Sequence, residues 1–139
     1  MADSKDLVWL GSSLDDLRDF PEGPRREVGH ALREAQSGGK HAHAKPLKGF
    51  RGASVLEVVE DFDTDTYRAV YTVKFEEAIY VLHCFQKKSK SGIATPKQDM
   101  ELIERRFKLA EQEHQKWKRN QEPRSSLQSH WKGSTRRRR

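Results

Sequence analysis

Cations placed in and beside two neighbouring apolar runs are the residues of this chain with the clearest chemical use. Arg68 lies inside residues 67–73 (YRAVYTV), and Lys87, Lys88 and Lys90 follow residues 78–85 (AIYVLHCF). Lys45, Lys48 and Arg51 form a third group in the Gly-, Lys- and His-rich segment 38–54. A guanidinium grips a phosphate through two parallel N–H bonds. Adjacent ammonium groups crowd one anion, and their repulsion moves one of them toward a useful general base. Three cationic groups that a small sheet can converge point to an anion site. Each also has a plainer reading: Arg68 pairs with a cross-strand acid such as Glu57, and the lysines are solvated loop residues.

Other reactive side chains carry less. His41 and His43 make an HxH pair with no third ligand at helical or cysteine-type spacing, a poor metal signal. His83 alternates with Val81 and Phe85 and reads as a hydrogen-bonded strand residue. Glu76-Glu77 and Asp61, Asp63 and Asp65 read as solvated turns. No Gly-rich phosphate loop, nucleophile elbow or zinc pattern occurs, so neither metal nor cofactor is expected. Cys84 is the single cysteine, which precludes an internal disulfide and fits a reducing cytosol; in its apolar run it reads as a small buried hydrophobe.

The elements that must position these groups follow from periodicity. The two apolar runs flank the polar break FEE and predict an antiparallel hairpin. Strand alternation places Arg68 with Val70 and Thr72 on one face, and Tyr67, Ala69, Tyr71 and Val73 on the other. If helices cover the tyrosine face, Arg68 stands on an open side of the sheet. Upstream, residues 7–10 predict a first strand closed by Gly11, and Ser12 or Ser13 can cap a short helix that ends near Phe20-Pro21. Pro24 suits the first turn of a second helix, whose stripe Val28, Ala31, Leu32 and Ala35 runs to Gly38-Gly39. Residues 38–54 read as a loop, 55–60 as a strand and 61–66 as a turn-rich connection. Thr95-Pro96 opens a long helix striped by Met100, Ile103, Phe107, Ala110 and Trp117, failing around residues 120–123.

The predicted fold class is α+β: a small antiparallel sheet in the order β-α-α-β-β-β-α, with two helices on one face and a long C-terminal helix. Residues 1–119 form the domain, and residues 120–139 a disordered basic tail. Of 139 residues, 34% are hydrophobic and 35% charged, so the core is small. The net charge of +6 is uneven. Residues 116–139 hold nine Lys and Arg and one acid, a net of +8, leaving 18 bases and 20 acids, a net of −2, before them. The domain is therefore no uniformly basic nucleic-acid binder. No apolar stretch approaches the roughly 20 residues of a membrane span, and the N-terminus lacks the layout of a secretory signal.

In order, KPLKGF (45–50), VLEVVED (55–61), DTYRAVYTV (65–73), IYVLHCFQKKSKSGIATP (79–96) and IERR (103–106) resemble the HigB-like, phage-derived branch of the RelE/ParE toxin superfamily. The resemblance covers roughly residues 5–115. The strand pattern Tyr-Arg-hydrophobic-hydrophobic-Tyr, followed by Phe-x-Lys-Lys before a Pro-started helix, is its most specific part. Many relatives carry an arginine late in the preceding strand, and Val59 stands at that position here.

The resemblance implies a cytoplasmic toxin of a type II toxin–antitoxin pair, with a cognate antitoxin of helix-turn-helix type and no membrane association. RelE- and HigB-like members cleave mRNA on the ribosome by activating a ribose 2′-hydroxyl against the adjacent phosphodiester, without a metal. Residue by residue, it implies catalytic roles for Arg68, Lys87 and Lys88. Lys45 and Lys48 then hold RNA or act as the base, with Arg51 and Lys90 as further RNA contacts. Two other functions remain open on the residues themselves: a ParE-like, non-nuclease gyrase poison, and a non-enzymatic nucleic-acid-binding protein whose tail supplies affinity.

Overall fold

A computed structural model describes residues 4–50, 52, 54–87, 95–120 and 135–138. The chain begins with strand β1 (Asp6–Leu10) and two helices, α1 (Ser13–Arg18) and α2 (Glu22–Gln36). Strands β2 (Ala44–Pro46), β3 (Val55–Phe62), β4 (Asp65–Thr72) and β5 (Ala78–Lys87) follow, then helix α3 (Lys97–Asn120) and strand β6 (Thr135–Arg138). The class is α+β, as expected from the sequence. One sheet contains all six strands of the described residues, in the order β2-β3-β4-β5-β1-β6.

The sheet is mixed rather than purely antiparallel. Strands β2 to β5 form antiparallel pairs, whereas β1 lies parallel to both β5 and β6. The parallel placement follows from connectivity, because α1 and α2 carry the chain across one face before β2 enters at the far edge. Two segments also differ from expectation. Residues 44–46, read as loop, pair with β3, and residues 135–138, read as disordered tail, pair with β1. In both, backbone pairing to an available edge outweighs weak local β-propensity. The acidic connection shrinks to the turn at Asp63-Thr64, where Asp63 adopts φ 59°, a conformation Asp tolerates better than most residues.

The two faces of the sheet bury different cores. On one, Val28, Ala31, Leu32 and Ala35 of α2 pack with Leu17, Phe20, Val58, Tyr67, Ala69, Tyr71 and Cys84. This is the tyrosine face, and α1 and α2 cover it as anticipated. Burial pushes the Cys84 thiol well above its usual range, which suits an inert hydrophobe. On the other, Ile103 and Ala110 of α3 pack with Val8, Leu10, Leu47, Val70, Tyr80 and Leu82, flanked by Phe50, Met100 and Phe107. The Arg68 face is therefore not open.

Local details depart from helix-capping expectations. Ser12 occupies the N-cap of α1, yet its hydroxyl donates to Asp16 at 2.7 Å and makes no capping bond. Ser13 donates to the Val81 carbonyl at 3.4 Å instead. Strand β5 carries an irregularity in which Leu82 is extra between the pairs Val70–His83 and Tyr71–Val81. Arg106 of the IERR run donates to the Leu82 carbonyl at 2.9 Å. Gly11, at φ +55°, lies under that guanidinium, and a Cβ there would come within 2.3 Å of Arg106 Nη2. Only glycine fits.

Candidate functional site

Register places the polar groups of β2, β3 and β4 side by side. Lys45 lies opposite Glu57, Glu57 opposite Val70, and Val59 opposite Arg68, so all four of Lys45, Glu57, Val59 and Arg68 share the α3 face. At this end of the sheet the segment after β2 folds over them. Leu47 is 2% exposed and donates its backbone N–H to the Val55 carbonyl at 2.9 Å. Phe50 meets Phe107 of α3 edge to face, with centroids 5.2 Å apart. Gly49 lies against Met100, where a Cβ would stand 3.1 Å from its terminal methyl. Two apolar anchors thus hold a loop whose lysines flank Arg68.

The cleft measures about 590 Å³ and is lined by Lys45, Lys48, Glu57, Val59, Arg68 and Thr95, among others. Arg68 is only 3% exposed. Its Nη1 stands 3.7 Å from Glu57 Oε1 and donates to Thr95 Oγ1 at 3.4 Å. The cross-strand pair with Glu57 exists, but as a buried pair rather than a solvated one. Burial raises the Glu57 carboxyl above its usual range, and Arg68 and then Lys45 pull it part of the way back. Glu57 Oε1 is buried and accepts no hydrogen bond. A buried carboxylate held by a long ion pair and no hydrogen bond is costly, and such groups are frequent at functional sites.

The expected site residues divide accordingly. Arg68, Lys45 and Lys48 come together around the cleft. Lys87 ends β5 opposite Thr66, on the Arg68 face but two residues, about 7 Å, further along, and it does not line the cleft. Lys88, Lys90 and Arg51 lie outside the described residues. Glu57 is the group that sequence reading undervalued, treating it only as a possible partner for Arg68. Its signal is an acid inside the apolar run VLEVV, where a strand buried on both faces would ordinarily carry none.

His83 holds the role expected of it. Its Nε2 lies 2.8 Å from Asp99 Oδ1, and its ring stacks on Phe85 with centroids 4.6 Å apart. Burial lowers its pKa despite the opposing pull of Asp99. It ties β5 to the start of α3, next to Thr95.

Comparison with known families completes the picture. The profile of the phage-derived protein Gp49-like family (DUF891) matches residues 15–108. The chain belongs to this family. The matched span runs from α1 through the first half of α3 and contains the whole cleft. Gp49-like proteins are associated with the toxins of toxin–antitoxin pairs, which makes an antitoxin the expected partner. No curated protein matches the chain. Among the described residues, no helix is long and apolar enough to cross a membrane.

Proposed function

We propose that this Gp49-like protein is the toxin of a type II toxin–antitoxin system and acts as a ribosome-dependent mRNA endoribonuclease in the cytoplasm. The observation that carries the reading is the Arg68 guanidinium, buried in a cleft whose other charged groups, among the described residues, are Lys45, Lys48 and Glu57. A phosphodiester entering there meets three cations and one carboxyl of raised proton affinity. Arg68 stabilises the charge that builds on the non-bridging oxygens. Lys45 and Lys48 hold the RNA backbone, with Arg51 and Lys90 as further contacts.

The step transfers two protons and needs no redox partner. A base takes the 2′-hydroxyl proton, the 2′-oxygen bonds to phosphorus, and the phosphorus–5′-oxygen bond breaks. The products are a cyclic phosphate and a 5′-hydroxyl. Glu57 is placed as that base, because a carboxylate with raised pKa binds a proton more firmly than an ordinary one. Incoming phosphate competes with Glu57 for Arg68, which frees the carboxylate as the substrate docks. Lys87 and Lys88 serve the phosphate and donate to the leaving oxygen. The ribosome fixes the geometry of the message, so few protein groups suffice. Residues 1–119 constitute the toxin domain, and an antitoxin of helix-turn-helix type neutralises it.

The test is induced expression in a bacterial host, with growth and 5′-end mapping of mRNA recorded for wild type, Arg68→Ala and Arg68→Lys. Arrest with new cuts inside translated codons, lost in Arg68→Ala and reduced in Arg68→Lys, is the expected result. Arrest with intact messages would move the target away from mRNA. Soluble, folded Arg68→Ala protein that still cuts would remove Arg68 from the chemistry.

A further inference from the structure

Away from the cleft, the link between α2 and β2 gathers a second set of ligating side chains. Glu27 of α2, His41 and His43 each present a ligand atom, and these atoms lie within 4.8 Å of one another. His41 Nε2 stands 3.2 Å from Glu27 Oε1. Donor atoms on a tetrahedral zinc ion, with bonds of about 2.0–2.1 Å, stand roughly 3.3 Å apart, so this pair already has the spacing of two ligands. The His41 and His43 rings meet edge to face with centroids 4.9 Å apart. Glu60 of β3 holds His43 Nδ1 at 2.5 Å, which leaves Nε2 of that ring for ligation. Carboxylates bonded to the far nitrogen of a histidine are the usual support of a metal ligand.

We propose that Glu27, His41 and His43 bind one divalent transition-metal ion, zinc foremost, with Glu60 orienting His43. The HxH spacing lacked a third ligand in sequence; the helix supplies it across 14 residues of chain. Two imidazoles and one carboxylate suit zinc better than magnesium or calcium, which prefer oxygen. A fourth position falls to water or a small anion. His43 has a half-exposed side chain, which gives the ion an entry path. One local bond changes on loading. His41 Nδ1 accepts the His43 backbone N–H at 3.0 Å in the metal-free protein, and ligation through Nε2 returns a proton to Nδ1 and breaks that contact. Losing one neutral hydrogen bond costs far less than a coordinated metal returns. Because His43 is two residues before Lys45, the ion fastens the loop that feeds the cleft to α2.

The experiment is titration of zinc into chelator-treated full-length protein, followed by calorimetry and by competition with a chromophoric chelator, with cobalt absorption reporting geometry. One ion per chain is expected, with a tetrahedral cobalt spectrum. His41→Ala and His43→Ala should each weaken binding at least about tenfold, and Glu60→Gln about 10–100-fold through loss of its support. His30→Ala, an exposed histidine on the same helix, should change nothing. The inference is overturned if wild type binds no zinc, or if the folded His41→Ala/His43→Ala double variant binds it as tightly. It is also overturned if His30→Ala loses as much affinity as the others. Should the double variant not fold, Glu60→Gln against His30→Ala makes the same decision.

Discussion

Two buried polar regions lie on the α3 face of the sheet, and they are built differently. Near the C-terminal half of α3, His114 has both ring nitrogens in use: Nδ1 lies 3.1 Å from the Tyr80 hydroxyl and Nε2 2.7 Å from Glu77 Oε1. Phe75 and Trp117 pack against its ring, and Lys118 stands 3.8 Å from Glu77. Near the start of α3, the Arg68–Glu57 pair is longer, at 3.7 Å, and Glu57 Oε1 accepts no hydrogen bond. A satisfied network rigidifies a core, whereas an incompletely satisfied one spends stability. The first region is a structural brace between β5 and α3. The second is the cleft in which the proposed phosphate site lies.

That contrast can be broken at Arg68 first. Arg68→Ala should lower mRNA cleavage at least about a hundredfold, the scale of removing one preorganised charge donor, as read by single-turnover cleavage on programmed ribosomes. Loss of folding without loss of specific activity in the soluble fraction would make Arg68 a brace like His114. His114→Leu is the reciprocal test. It removes the bonds to Glu77 and Tyr80, leaving Glu77 only Lys118, so stability should fall by about 1–3 kcal/mol, a drop of several degrees in Tm, with cleavage per folded molecule unchanged.

Glu57→Gln sharpens the comparison in two measurements. Cleavage should fall about 10²-fold or more, with loss of the acidic limb of its pH profile, if Glu57 is the base. In stability the sign is reversed. A carboxyl whose folded pKa is raised holds its proton more firmly in the folded state, so wild-type stability declines as pH rises from the unfolded carboxylate pKa through the folded one. Urea titrations across that range should show the decline in wild type and not in Glu57→Gln. A smaller effect belongs to Val59, which faces Arg68 across the β3–β4 pair. Val59→Arg adds a fourth cation beside the proposed phosphate position and should raise cleavage about tenfold; unchanged or lower cleavage would show that the cleft already holds all the positive charge it uses. The least effect is expected at His83. Its folded pKa is lowered from 6.5, so its neutral form is favoured, and stability should fall as pH drops below about 6.5. His83→Gln should flatten that part of the curve.

Much of this was legible along the chain. The hairpin, the two helix stripes and the long helix ending at Asn120 all rest on short-range periods. Arg68 was correctly assigned to the face opposite Tyr67, Ala69 and Tyr71, since alternation is a property of the strand alone. Its burial is not legible there, because covering depends on Leu47 and Phe50 reaching α3 from a loop more than 50 residues upstream of Phe107. Glu57 was hidden for a related reason: its meaning depends on Lys45 from β2, a strand too short to announce itself. His114 carries a similar signal: four residues after Ala110 and three before Trp117, it fills the gap in the α3 stripe.

By itself the sequence determined the chemistry available: which cations exist, which strand carries Arg68 and on which side, and that a single buried thiol takes no part. These depend on residue identity and on periods of two and 3.6 residues, which any few consecutive residues display. Tertiary structure alone decided that β1 inserts in parallel beside β5, and that the Arg68 face is roofed rather than open. It also decided that Glu57 joins the lysines in one cleft, and that Glu27 meets His41 and His43. Those outcomes depend on which surfaces cover which, and covering is settled by burial summed over the whole chain.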